Sequence, residues 1–312
     1  MKIIDQSSDR FSSETGTCIT VGTFDGIHRG HNAILSFLRN TAANKHLNSL
    51  IFTFDKHPRY VLRKDENLLK LLNTSKEKAR ILEEKGIDYL YIQKFNEAFY
   101  SMEAEDFIKD ILISTLNMKA LVVGHDHSFG KGRMGDFSLL KELSQKYGFS
   151  VHQLSAVSNS GFAISSTKIR TLLAQGDLTL ANEMLGYNYS LTGTVIHGRG
   201  VGKDLGFPTA NIKASNPDKL LPAPGVYIIE VEINQEMLQG ILNIGSRPTF
   251  NGEGQHVEAH IFDFSGDLYT KEVRIEFLLR IRDEMKFDSL EALIEQIEKD
   301  KYKALHYFKR VC

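Results

Sequence analysis

Cysteine is nearly absent from these 312 residues: there are two, Cys18 in an apolar run and Cys312 at the end. They form neither a disulfide framework nor a zinc-ligand spacing, which fits a reducing compartment. No sign of charge dominates, since 38 Lys and Arg stand against 39 Asp and Glu for a net of -1. Nor is there a block of about five or six like charges, so the usual electrostatic footprint of a nucleic-acid or membrane-surface binder is missing, though a local basic pocket could still hold a small polyanion. Nowhere do about 18 apolar residues run together, and the start, MKIIDQSSDRF, turns polar too soon for a secretory segment. The expectation is a cytoplasmic globular protein that binds neither nucleic acid nor membrane. At 42% apolar residues it is long enough for two ordinary domains.

In the first half, short apolar runs alternate with helical patterns. CITVGTF, SLIFTFD, DYLYI and ALVVG read as strands buried on both faces. Ile34, Leu35, Phe37 and Leu38, and later Phe137, Leu140 and Leu143, follow helical spacing. The alternation predicts an α/β domain with a doubly wound parallel sheet, whose ligands sit where strand ends meet helix starts. Two helical patterns, TKIRTLLAQ and TLANEML, end at Gly176 and Gly186, each a suitable helix terminator. From Tyr187 to Leu279 the chain reads instead as many short β-rich segments punctuated by Gly, Pro and Asn, which predicts a small antiparallel β-barrel. A last helix, from about Ser289 to Asp300, should pack on it through Leu290, Leu293, Ile294 and Ile297. The expected domains are 1–186 and 187–312.

The stretch GTFDGIHRGH, residues 22–31, spends a strand-to-helix turn on residues that favour neither element. Gly22 ends the strand, Gly26 and Gly30 let backbone approach a ligand, and His31 enters the first helical turn, where N–H groups favour an anion. His28 and His31 could both donate to phosphate oxygens; a tight turn with two surface histidines is the alternative. ISSTKIRTLL places Ser165, Ser166 and Thr167 before a helix carrying Arg170. One hydroxyl is explained as a helix cap, and three with an arginine look like a polyphosphate clamp. GHDHSFGKGRMG offers Asp126, Lys131 and Arg133 at another strand end, unless it is a plain hairpin.

These elements together resemble the nucleotidylyltransferase superfamily, and the longer forms GTFDGIHRGH and ISSTKIR are similar to bacterial FAD synthetase. The resemblance implies that His28, His31 and Arg170 stabilise adenylyl transfer. It places Gly22, Phe24, Asp25, Gly30, Asp126, Ser165, Ser166 and Thr167 about the ATP. TFDKHPR is similar to the family's flavin-side segment, which assigns His57 and Arg59 to flavin, with Lys56 where a proline is common. In GHDHSFG, His127 replaces the usual aromatic.

The second dense stretch is GTVIHGRGVGKDLGFPTANI, residues 193–212. GRGVGK is no Walker loop, because His197 and Asp204 stand where glycine and Ser or Thr are needed, and Gly198, Gly200 and Gly202 are misspaced for a dinucleotide fingerprint. In PTAN, Thr209 and Asn211 put two hard oxygens on one side of an extended segment, suited to Mg²⁺ or to a simple turn exit. Glu258 shares a strand face with His260 and Phe262 and could act as a base or be an ordinary edge glutamate. With PAPGVY, NIGSRPTF, EAHIFDFSGDLY and IRDEMKF these segments resemble riboflavin kinase, which bacteria fuse behind FAD synthetase. The resemblance implies Mg²⁺ on Thr209 and Asn211, Glu258 as general base, Gly202, Lys203 and Gly206 over the ATP phosphates, and Arg282 and Phe287 by the flavin. Lys203 stands where arginine is common and Thr270 where glycine is frequent. The expected activity is phosphorylation of riboflavin to FMN with MgATP, then adenylylation of FMN to FAD with release of pyrophosphate. The alternatives are a chain with one live half, a flavin-binding regulatory protein, and a metallohydrolase using His28, His31, His125, Asp126 and His127.

Overall fold

A computed structural model of the chain describes residues 1–5, 11–62, 69–125, 129–155, 158–159, 162–198, 202, 205–249 and 252–311. The chain divides into two compact units, Met1–Ser166 and Thr167–Cys312.

The first unit holds strands β1 (Lys2–Asp5), β2 (Thr17–Val21), β3 (Asn48–Phe54), β4 (Tyr89–Gln93), β5 (Met118–Gly124) and β6 (Ser150–Leu154), with a small hairpin of β7 (Ser158–Asn159) and β8 (Phe162–Ala163). Its helices are α1 (Arg29–Asn44), α2 (Pro58–Leu62), α3 (Ser75–Glu84), α4 (Glu97–Tyr100), α5 (Ala104–Asp106), a π-helical stretch at Phe107–Thr115, and α6 (Phe137–Tyr147). The six main strands lie parallel in the order β1-β4-β3-β2-β5-β6. From β2 the chain moves outward through β3 and β4, then returns to β5 on the other side. The order therefore reverses at the carboxyl end of β2, where ligands of such sheets bind. The buried centres of β3 and β5 explain their apolar runs, and Phe52, Leu50, Ile19 and Leu121 join one core with Phe107 and Leu112. On α1, Leu35 and Leu38 are buried as expected, whereas Phe37 is exposed beside His152.

In the second unit α7 (Ser166–Gln175) and α8 (Leu178–Leu185) precede β9 (Ser190–Ile196), β10 (Ala210–Ala214), β11 (Gly225–Ile233), β12 (Glu236–Thr249), β13 (Gly252–Ile261) and β14 (Glu272–Arg282). These six strands close into a barrel in the order β10-β13-β12-β11-β14-β9. Gly176 and Gly186 adopt left-handed φ of 81° and end α7 and α8. α8 is joined to the barrel by Asn182, whose Nδ2 donates to the Phe277 carbonyl at 2.9 Å while its Oδ1 accepts from Tyr189 N at 2.8 Å. Tyr189, Tyr227 and Phe277 fill the interior. The last helix, α9 (Leu290–Val311), runs eleven residues beyond its expected end at Asp300. Nothing breaks it there: Asp300 is buried against Arg282, and Ala304 and Phe308 continue the apolar face onto Ile228, Ile241 and Phe262. Leu290, expected on that face, is exposed.

Candidate active sites

After β2, Gly22 N donates to the Phe52 carbonyl at 3.0 Å and the chain turns through three left-handed residues, Phe24 (φ 45°), Gly26 (φ 89°) and Ile27 (φ 34°). Left-handed backbone at bulky residues persists only when the surroundings enforce it. Here Phe24 and Ile27 are buried, and Asp25 Oδ1 accepts from Leu72 N at 3.0 Å and Asn73 N at 3.1 Å. Ser166 Oγ donates to the Asp25 carbonyl at 2.7 Å, so this hydroxyl ties the two sequence motifs together. Asp25 itself is 4% exposed, a fixed member of the turn.

The turn delivers His28 as the N-cap of α1, with Nδ1 accepting from His31 N at 3.3 Å. A side chain on Gly30 would stand 3.1 Å from the His28 ring, so glycine makes room for the imidazole along the helix start. The rings of His28 and His31 stack with centroids 3.8 Å apart. Burial pushes His28 down to about 4 despite Asp25, and burial with the neighbouring charges of His28 and Lys78 holds His31 well below the usual histidine range. Both rings are neutral at pH 7. Because Nδ1 of His28 is an acceptor, its proton sits on Nε2, which makes that atom a donor.

His57 lines a pocket with Thr23, Asp25, Asn73 and Lys78, and its Nδ1 accepts from Arg59 N at 3.2 Å; the Arg59 side chain is exposed on α2. Ser165 and Thr167 are exposed and Arg170 is partly buried, with Thr167 and Arg170 one turn apart on α7. Lys131 pairs with Glu103 at 3.1 Å on the surface. Asp126, His127 and Lys203 lie outside the described residues. Lys78 and Asn73 in this pocket were not among the expected site residues. Lys78 reads as a solvent-facing helix lysine in SKEKARILEE, although the capping box of Thr74 and Glu77 signals where its helix starts.

In the second unit Asn211 stands directly opposite Glu258 on β13, and Glu258 opposite Asn243 on β12. The three form a polar row across β10, β13 and β12, on the barrel face away from the interior residues Ala259 and Leu242. Asn243 escapes sequence reading because only strand pairing brings it to Glu258. Gly198 and Gly202 lie on the same residues: a Cβ on Gly198 would overlap the Asn211 amide, and one on Gly202 would come within 2.5 Å of the Phe207 carbonyl and 3.0 Å of Thr209 Oγ1. Gly206 turns at φ 83°. The loop exit is held by His260, whose Nδ1 lies 2.9 Å from the Pro208 carbonyl. The donors available here, a hydroxyl, amide oxygens and a carboxylate, suit a hard divalent cation shared with phosphates. Among the described residues no three His, Cys, Asp or Glu side chains gather as a metal site, which leaves the metallohydrolase ligands His28, His31 and His125 without a described cluster. Arg282 places Nε and Nη2 on Asp300 Oδ2, each at 2.8 Å, with its guanidinium 6.0 Å from the Phe287 ring.

Residues 10–168 match the family model described as FAD synthetase, and residues 185–308 the model described as riboflavin kinase. Two curated relatives are named bifunctional riboflavin kinase/FMN adenylyltransferase. That of Escherichia coli (strain K12) is 37% identical over 296 residues, 95% of this chain and 94% of its own. That of Bacillus subtilis (strain 168) is 37% identical over 297 residues, 94% of this chain and 93% of its own. A crystal structure described as a macrolide-efflux protein from Streptococcus pneumoniae shares the fold with a TM-score of 0.87 at 30% identity, covering 96% of this chain and 97% of that one. Among the described residues of this chain no helix is long and apolar enough to cross a membrane. Both family models match in succession, and relatives carrying both activities in their names align along nearly the whole length: the chain belongs to the bifunctional riboflavin kinase/FMN adenylyltransferase family.

Proposed function

We propose that the chain makes FAD from riboflavin in two ATP-dependent steps, the second unit producing FMN and the first adenylylating it. The observation that carries the reading is that each compact unit has its own phosphate-directed constellation: stacked neutral histidines at a helix start in one, and a glycine loop lying on Thr209 and Asn211 beside Glu258 in the other.

In the kinase step Glu258 takes the proton of the ribityl 5′-hydroxyl as that oxygen attacks the γ-phosphorus of ATP, and ADP leaves. Thr209 and Asn211 would hold Mg²⁺, which when bound neutralises phosphate charge. Gly202, Gly206 and Lys203 belong to the loop over the phosphates, and Arg282 and Phe287 border the flavin. In the adenylyl step an FMN phosphate oxygen attacks the α-phosphorus of a second ATP and pyrophosphate leaves. His28 and His31 donate to the oxygens on which charge builds, with Ser165, Ser166 and Asp126 about the nucleotide and His57 and Arg59 toward the flavin. A buried thiol, Cys18, pushed up to about 12 by burial, suits the cytoplasm proposed for this chemistry.

Incubation with riboflavin, ATP and Mg²⁺, followed by chromatography, tests the reading. FMN should rise and then convert to FAD. FMN accumulating alone would leave only the kinase half standing, and no flavin product would return the chain to a binding role.

A further inference from the structure

Thr23 at the exit of β2 and Thr53 in β3 lie on neighbouring strands, and Lys78 of α3 joins them. Its Nζ donates to the Thr23 carbonyl at 2.5 Å and to the Thr53 hydroxyl at 3.1 Å, while Thr53 Oγ1 donates to that same carbonyl at 3.2 Å. Lys78 is 9% exposed, and among the described residues no carboxylate lies within ion-pair distance of it. Burying an ammonium without a paired carboxylate is costly, and a neutral side chain would serve if the task were only to join two strands. The carbonyl it holds belongs to the residue between Gly22 and Phe24, just before the left-handed turn that ends on His28.

We propose that Lys78 is a positioning residue for adenylyl transfer: by fixing the Thr23 carbonyl it holds the strained turn from Gly22 to His28, and so aims the two histidines. The inference rests on the adenylyltransferase reading of the first unit. Burial pushes the Lys78 ammonium down to about 8, offset in part by Asp25. The ionisable groups facing it are Asp25 and His31 from the turn and α1, Asp55, Lys56 and His57 from the exit of β3, and Glu77 on its own helix, whose carboxylate is engaged by Thr74 N. The clamp therefore loses its charge as pH rises through about 8.

The test uses the full chain with Lys78→Met and Lys78→Arg, measuring FMN to FAD from pH 6 to 10, with riboflavin to FMN as the internal control. Lys78→Met should lower kcat for FAD formation about a hundredfold, as displacement of aligned groups does, while KM for ATP and kinase turnover stay near wild type. In the wild type FAD formation should decline above about pH 8. Lys78→Arg keeps a cation that does not titrate there, so it should retain part of the turnover and lose that decline. A Lys78→Met enzyme with wild-type kcat, or a decline that persists in Lys78→Arg, overturns the proposal. If Lys78→Met fails to fold by circular dichroism, the wild-type and Lys78→Arg profiles decide. A wild type that makes FMN but no FAD fails earlier, before any variant, and sinks the reading of the first unit.

Discussion

Burial leaves His28 and His31 neutral at pH 7 in the free chain, so in the adenylyl transfer proposed for them they would act by directed N–H groups and not by net charge. The same burial links the fold to acid. His28 titrates near 6.5 when unfolded and near 4 when folded, so between these values the unfolded chain binds the extra proton. Its contribution is complete above about 6.5 and is lost as pH falls toward 4, about 3 kcal/mol in all. His28→Asn keeps an N-cap without the titration, and urea midpoints from pH 7 to 4.5 should fall more steeply for the wild type than for the variant. Parallel curves would refute the linkage. Thr270 follows Tyr269 in a left-handed turn before β14. Its φ is 64°, a conformation that a β-branched residue adopts only under strain. Thr270→Gly should raise stability by roughly 1 kcal/mol, read from the denaturation midpoint; an unchanged or lower midpoint would show that the strain is relieved elsewhere.

Elements place what residues alone could not. β2, β3, β4 and β5 are readable in the sequence because both faces are buried, which leaves nearly unbroken apolar runs. β1 and β6 are not, since KIID and SVHQL are short, polar edge strands. The histidine turn and the glycine loop were legible as unusual residues at element boundaries. Lys78 and Asn243 were not, because an inward lysine and a cross-strand asparagine acquire meaning only through packing and pairing. Gly202→Ala sets a methyl against the Phe207 carbonyl and Thr209 Oγ1. It should lower riboflavin phosphorylation about a hundredfold and leave adenylylation of added FMN unchanged, in separate assays of the two steps. Normal kinase turnover would mean that the loop has room to move away.

For the whole molecule, α7 and α8 count with the second unit, although the change of sequence texture comes only near residue 187. Asn182 bridges Tyr189 and Phe277, and Ala223 N donates to the Leu173 carbonyl at 2.9 Å. A fragment from Thr167 should therefore fold and phosphorylate riboflavin, whereas one from Tyr187 exposes those partners and should be about 2 kcal/mol or more less stable in urea. Equal stability would place the boundary after α8. The barrel closes β9 onto β10, but the parallel sheet ends at β1 and β6. Open strand edges recruit other chains, and closed barrels offer none. Aggregation during refolding at high protein concentration should thus begin in the first unit, so that recovered enzyme yields FMN more readily than FAD.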